Sequence, residues 1–232
     1  MTADIYIFLT GRPEKILSTA KNIMITAHSG CDDFAMNSEE YIVHALTLDI
    51  YALEIDIRRD SDKTLILTHN PPEAGKEYIS LESAFAMVKD SPVRINCDLK
   101  EPGLERDVLG LAGKMGIDGN RIIFTGSLTD WRDSEFAGQI WLNPEEIYPD
   151  FYAAKYDIGE VMRLAKNSGY TVLNIDYRIL NDAVIYSANM YGVNLSLWTI
   201  DDPQELPKDI YTSHVINITT NYPSRIVNAL NA

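Results

Sequence analysis

The stretch LEIDIRRDSDKTLILTH, Leu53–His69, decides the fold of this chain. Glu54 and Asp56 alternate there with Leu53, Ile55 and Ile57. In a strand that period puts both acids on one face and the aliphatic side chains on the other. A second apolar run, LILTH at 65–69, follows the polar DSDK at 60–63. That gap is too short for a crossover helix, so the two runs must pair as an antiparallel hairpin. A four-residue DSDK loop sets Arg59 opposite Thr64 and His69 directly across from Glu54, with Cβ atoms about 5 Å apart. A slip of one residue would turn His69 to the other face.

Outward from the hairpin, β-branched apolar runs recur at 23–28 (IMITAH), 94–99 (RINCDL), 121–126 (RIIFTG), 140–143 (IWLN), 171–177 (TVLNIDY), 194–200 (NLSLWTI) and 215–220 (VINITT). Helix-like stretches begin at Ser38, Ser80, Leu104, Asp157 and Asn181, with Gly116, Gly169 and Gly192 as stop signals. The stretch between Thr129 and Asp150 reads as a longer loop or a short helix. Alternating strands and helices imply a parallel sheet with right-handed crossovers. Setting the return strand at 65–69 aside leaves eight strands. The expected fold is an α/β (β/α)₈ TIM barrel with a hairpin return strand after strand 2, forming a single domain over 1–232. A doubly wound open sheet is the alternative, but no glycine-rich phosphate loop follows the first strand.

The bulk composition narrows the function. Hydrophobic residues make up 46% of the 232 residues and charged residues 23%, enough to build a full core. No run approaches the roughly 18–20 apolar residues that span a bilayer. The start, MTADIYIFLTGRPEKIL, carries acid early and lacks a small-residue cleavage site, so it reads as a poor secretory signal. Cys31 and Cys97 are too few for a disulfide scaffold and lack metal-finger spacing, which suits reduced thiols and a cytoplasmic protein. A net charge of −14 without a basic run argues against nucleic acid or an anionic membrane as the main partner. A small phosphorylated substrate stays compatible, because a bound divalent cation reverses the local field.

In a barrel, chemistry gathers at the C-terminal ends of the strands. His28, Glu54, Asp56, Asp98, Lys100, Trp198 and Thr220 all stand at or near such ends. Each has an ordinary reading: a half-exposed strand for Glu54 and Asp56, a structural hydrogen bond for His28, a surface ion pair for Asp98 and Lys100, core packing for Trp198. Their coincidence at one mouth fits those readings poorly, since grouped charges are costly to bury unless something binds them. Three carboxylates are hard oxygen donors that favour Mg²⁺ or Ca²⁺ over zinc. With Lys100 beside it, such an ion would hold a phosphate, and two histidines would suit general acid and base roles.

The order TAHSG (26–30), LEIDIRRDSDKTLILTH (53–69), INCDLKEP (95–102), LNIDYRIL (173–180), LWTIDDP (197–203) and TNYP (220–223) resembles the glycerophosphodiester phosphodiesterase family. The resemblance runs from about residue 23 to the end. It implies the barrel read above and hydrolysis of glycerophosphodiesters to an alcohol and glycerol phosphate with a divalent cation. By position, it implies His28 and His69 as the acid–base pair and Glu54, Asp56 and Asp98 as metal ligands, with Asp98 where the family usually has glutamate. Lys100 matches the phosphate-contacting lysine, and Trp198 and Ser29 fall at substrate-facing positions. Ser29 replaces the family's arginine, whose bidentate fork a hydroxyl does not mimic. Ala35-Met36-Asn37-Ser38 stands where Pro-Glu-Asn-Thr is usual, Asn70 where aspartate follows the second histidine, and Asn221 where Thr-Asp-x-Pro has its acid. The insertion after His69 is short, about Asn70–Ser80, which implies an open mouth. These departures leave two alternatives: a lyase-like phosphodiesterase giving a cyclic phosphate, and a decayed barrel that binds a phosphorylated ligand. The expected partner is a small phosphodiester, and neither its alcohol nor the oligomeric state follows from the sequence.

Overall fold

The computed structural model describes residues 23–132, 134–154, 156–208, 210–211 and 214–231. The reading of MTADIYIFLTGRPEKIL, and the part of the single-domain expectation on residues 1–22, fall outside the described residues. The alternation at Leu53–Ile57 is the local rule of the whole barrel. Strands β1 (Met24–Ala27), β2 (Ala52–Arg59), β4 (Arg94–Leu99), β5 (Ile122–Gly126), β6 (Val172–Asp176), β7 (Asn194–Trp198) and β8 (Val215–Thr220) lie parallel in the order β5-β4-β2-β1-β8-β7-β6. Residues 140–142 supply the remaining stave. Ile140 bridges Phe124 of β5 and Leu142 bridges Leu173 of β6, both parallel, so the ring closes through IWLN. The (β/α)₈ expectation is met, and this stave is the thinnest because it is joined by isolated bridges rather than a ladder.

Helices α1 (Glu39–Ala45), α2 (Leu81–Val88), α3 (Glu105–Lys114), α4 (Pro144–Ile147), α5 (Ile158–Asn167), α6 (Asp182–Tyr191) and α7 (Pro223–Leu230) surround the strands. The capping signals act as read. Ser38 accepts from Tyr41 N–H at 3.0 Å, Ser80 from Ser83 N–H at 3.0 Å and Asn181 from Ala183 N–H at 2.9 Å. Each such cap is worth about 1 kcal/mol. The helix-poor stretch resolves into the one-turn α4.

Two apolar clusters share the strands between them. Leu53, Ile55, Ile95, Cys97, Phe124, Leu173 and Leu197 face outward and are buried beneath the helices. On the opposite face Ala52, Ile123, Trp141 and Val172 form a separate cluster within the barrel. Two residues further along the same faces stand Glu54, Thr125, Asn143 and Asn174, so a polar layer rests on an apolar plug. Cys31 and Cys97 are free and buried. Among the described residues no helix is long and apolar enough to cross a membrane.

The hairpin forms, with a different register. Strand β3 (Leu65–Leu67) pairs antiparallel to β2 with Ile57 opposite Leu67 and Arg59 opposite Leu65. Asp60 causes the shift. Its Oδ1 accepts from Asp62 N–H at 2.9 Å and Thr64 N–H at 2.8 Å, and its own N–H reaches Thr64 O at 3.0 Å. Asp60 therefore joins the ladder, and the loop shrinks to residues 61–63 with Lys63 in the left-handed region at φ 65°. Thr68, not His69, ends the pairing, its N–H donating to Asp56 O at 3.0 Å. The placement of His69 directly across from Glu54 is corrected accordingly. After His69 the short insertion returns to β3, where Ser80 bridges Ile66.

Candidate functional site

Strand register assembles the acidic centre. Along β2 and β4, Glu54 is the partner of Asn96 and Asp56 the partner of Asp98. Side chains of neighbouring parallel residues point the same way, so the carboxylates crowd together. Glu54, Asp56 and Asp98 each offer an oxygen, all within 4.8 Å of one another. Glu54 is 7% exposed and Asp56 1%. Lys100 Nζ lies 2.9 Å from Asp56 Oδ1 and also binds Asp98, bridging the two strands.

The electrostatics follow from this crowding. Burial raises Glu54 well above the usual carboxylate range; Asp98 and Asp56 add repulsion, while His28 and Lys100 oppose it. Burial also works against the Asp56 anion, but Lys100 and the Asn37 and Ser29 side chains outweigh it and hold Asp56 below the usual range. Lys100 is raised in turn: burial disfavours its charge, and Asp98 and Asp56 more than compensate. One lysine against three carboxylates leaves negative charge in excess, and the donors are all hard oxygens. The residues fit a hard divalent cation.

His28 extends from the end of β1, with Nε2 3.6 Å from Glu54 Oε1 and Nδ1 2.7 Å from Asn221 Oδ1. Asn221 is itself oriented by Asp201, whose carboxylate accepts from Asn221 Nδ2 and from its backbone N–H, both at 2.8 Å. A carboxylate only accepts, so the amide nitrogen must face Asp201 and the amide oxygen must face His28. His28 therefore carries its proton on Nδ1 when neutral, leaving Nε2 toward the cavity. Burial disfavours the imidazolium, but Glu54, the Asn221 contact and Asp56 together raise His28 above 6.5.

Several further side chains support the acidic centre. Asn37 Nδ2 donates to Asp56 Oδ2 at 2.7 Å, while Asn37 Oδ1 accepts from Asp56 N–H at 2.9 Å. It does so from the left-handed region at φ 56°, which asparagine tolerates. Gly30 permits this loop to close, since a Cβ there would stand 2.8 Å from the Met36 backbone. Asn96 Nδ2 donates to Glu54 Oε2 at 2.9 Å, and Thr125 Oγ1 lies 3.1 Å from Asp98 Oδ1. The buried Tyr41 hydroxyl lies 2.8 Å from Glu54 O and accepts from Glu54 N–H at 3.2 Å, bracing β2 beside β1. Asn37 keeps the asparagine of the Pro-Glu-Asn-Thr pattern, whereas for Asn96 and Thr125 the sequence offers only an amide and a hydroxyl type beside the acids.

The residues singled out by sequence do not all meet. His28, Glu54, His69, Asp98, Lys100 and Trp198 line one cavity of about 390 Å³ at the strand ends, together with Thr125, Asn143, Glu145, Asn174, Thr199 and Thr219. His69 reaches it because the β2–β3 ladder stops short of it; a continued ladder in the observed register would turn it away. Asp56 lies beneath, gripped by Lys100 and Asn37. Ser29 does not line the cavity. It is wholly buried, where the sequence expectation had it facing substrate. Thr220, at the end of β8, is also fully buried.

No protein-family profile matches the chain, and no curated protein does. Solved structures match closely in shape. A glycerophosphodiester phosphodiesterase from Thermotoga maritima aligns with a TM-score of 0.70 at 19% identity, covering 90% of this chain and 98% of the other. One from Parabacteroides distasonis gives 0.68 at 18%, covering 91% and 98%. An Oleispira antarctica phosphodiesterase in complex with the product sn-glycerol-3-phosphate gives 0.66 at 15%, covering 90% and 97%. The chain has the (β/α)₈ barrel fold of these phosphodiesterases.

Proposed function

We propose that this chain is a member of the glycerophosphodiester phosphodiesterase family, a metal-dependent hydrolase converting a glycerophosphodiester to an alcohol and glycerol phosphate. The observation that carries the reading is the convergence of two histidines, a lysine and the acidic centre on one mouth cavity. The Oleispira neighbour, which shares the fold, holds sn-glycerol-3-phosphate as product. Glu54, Asp56 and Asp98 would hold the divalent cation, Mg²⁺ or Ca²⁺, which when bound polarises the phosphoryl group and offsets its charge. Lys100 adds a fixed positive charge beside the phosphate. His28 exchanges a proton at Nε2, because Nδ1 is engaged by Asn221. His69, entering from the loop after β3, supplies the second proton-transfer group. One takes the proton of the attacking oxygen while the other delivers one to the leaving alcohol.

Incubating the purified protein with a panel of glycerophosphodiesters and Mg²⁺ or Ca²⁺, followed by phosphorus NMR, tests this. The expected product is glycerol phosphate without a lasting cyclic phosphate. Absence of turnover in a folded sample, with every diester and both ions, overturns the reading.

A further inference from the structure

Arg58 continues the inner face of β2. Positions 54, 56 and 58 alternate onto one side of the strand, so that face reads acid, acid, arginine toward the mouth. The Arg58 side chain is 18% exposed and turns to the hairpin rather than to the acidic centre. Its Nε donates to the backbone oxygen of His69 at 3.1 Å, and Nη1 lies 3.9 Å from Glu101 Oε2. Glu101 is itself tied to β2, since its Oε1 accepts from Arg59 N–H at 3.3 Å. Consecutive residues after β4 thus serve different partners: Lys100 binds the acids, and Glu101 faces the arginine.

Little else holds His69 in place. The β2–β3 pairing ends at Thr68, and in the observed register a continued ladder would carry His69 to the aliphatic side of β2. Beyond His69 come Asn70, Pro71 and Pro72, and the two prolines have no N–H to donate. Among the described residues, the Arg58 contact is the one hydrogen bond made by the His69 backbone. The His69 side chain is exposed, and its Nδ1 lies 3.3 Å from Asn70 Oδ1, a neighbour in the same loop. The imidazole is therefore placed by its own peptide, and Arg58 fixes that peptide to the strand that carries Glu54 and Asp56.

Arginine suits this task. Its planar fork holds several donors in a fixed relation, so one edge can grip a carbonyl while another meets a carboxylate. We infer that Arg58, oriented by Glu101, is a positioning residue that sets His69 against the reacting atoms in the cavity. The inference rests on the phosphodiesterase reading above for what His69 does there, and on the Arg58 contact for the tether itself. Geometry of this kind matters to rate, because a misplacement of about 1 Å can cost about 10²-fold.

Kinetics and histidine NMR test it together. Arg58→Met keeps the apolar stem and removes the fork; it should lower kcat on a glycerophosphodiester about tenfold with KM within about twofold of wild type. Arg58→Lys restores the charge without the fork and should recover part of the rate. The imidazole nitrogen signals of His69, identified by their loss in His69→Gln, should shift or broaden in Arg58→Met while those of His28 stay in place. That spectrum needs no substrate. Unmoved His69 signals overturn the inference even where kcat falls, because Arg58 then acts by another route. An unchanged kcat in folded Arg58→Met overturns it too and leaves the phosphodiesterase reading standing. Moved His69 signals in a protein that turns over no diester support the tether and overturn that reading instead. Glu101→Gln leaves Arg58 in place and should give the same pattern in smaller measure, about threefold in kcat. It decides the matter where Arg58→Met fails to fold, and His69 signals and kcat both as in wild type would then overturn the inference.

Discussion

His28 Nδ1 and Asn221 Oδ1 stand 2.7 Å apart across 193 positions of sequence. The contact joins the first strand end to the last, and Asp201 after β7 fixes the amide that makes it. Position 221 thus carries the hydrogen-bond acceptor while the acid sits one residue behind it in space. The imidazole is aimed by two side chains neither of which reaches the cavity lining.

Asn221→Ala or Asp201→Ala should therefore lower kcat on a glycerophosphodiester by about tenfold, less than the about 10²–10⁴-fold loss expected for His28→Ala. Asn221→Asp keeps an acceptor opposite Nδ1 and should recover part of the rate. Both positioning variants should also shift the pH–rate profile, which a general loss of folded protein would not do.

Asn37 grips Asp56 at both its carboxylate and its backbone N–H. Asn37→Ala removes both contacts and keeps a Cβ at φ 56°. Urea unfolding should show a loss of about 2–3 kcal/mol. Asn37→Gly relieves the backbone but not the hydrogen bonds, so it should recover less than half of that loss.

Lys100 bridges Asp56 and Asp98 at one strand border. Lys100→Met should destabilise the metal-free protein by about 3–5 kcal/mol at neutral pH, because it strands two carboxylates. The sign with pH follows from the shifts. Asp56 is lowered, so its contribution is present above the unfolded value of about 3.9 and is lost as pH falls through the lower folded value. Lys100 is raised, so its contribution is present below about 10.4 and is lost as pH rises through the higher folded value. The gap between wild type and variant should be widest between those limits and close at both ends, as followed by thermal melting. Added Ca²⁺ should narrow it at neutral pH by supplying the missing positive charge.

Most of the barrel was legible because period two is a local property. The L-E-I-D alternation put Glu54 and Asp56 on the inner face, and a gap too short for a helix required the hairpin. The cap residues Ser38, Ser80 and Asn181 were legible for the same reason. The hairpin register was not, because Asp60 could either end the strand or extend it. Its side chain decided by capping the loop from within, and one residue of register separated the two outcomes.

The sequence by itself determined which chemistry the chain carries: alternating faces, strand count, and the histidines, acids and lysine that fall at strand ends. Those depend on spacing within a few residues. The tertiary structure decided which of them meet. Register between β2 and β4 brought Asp56 beside Asp98, ring closure through residues 140–142 brought Asn143 and Glu145 to the cavity that His28 lines, and burial kept Ser29 out of that lining. Each joins residues far apart in the chain, so only the packed barrel fixes their distances.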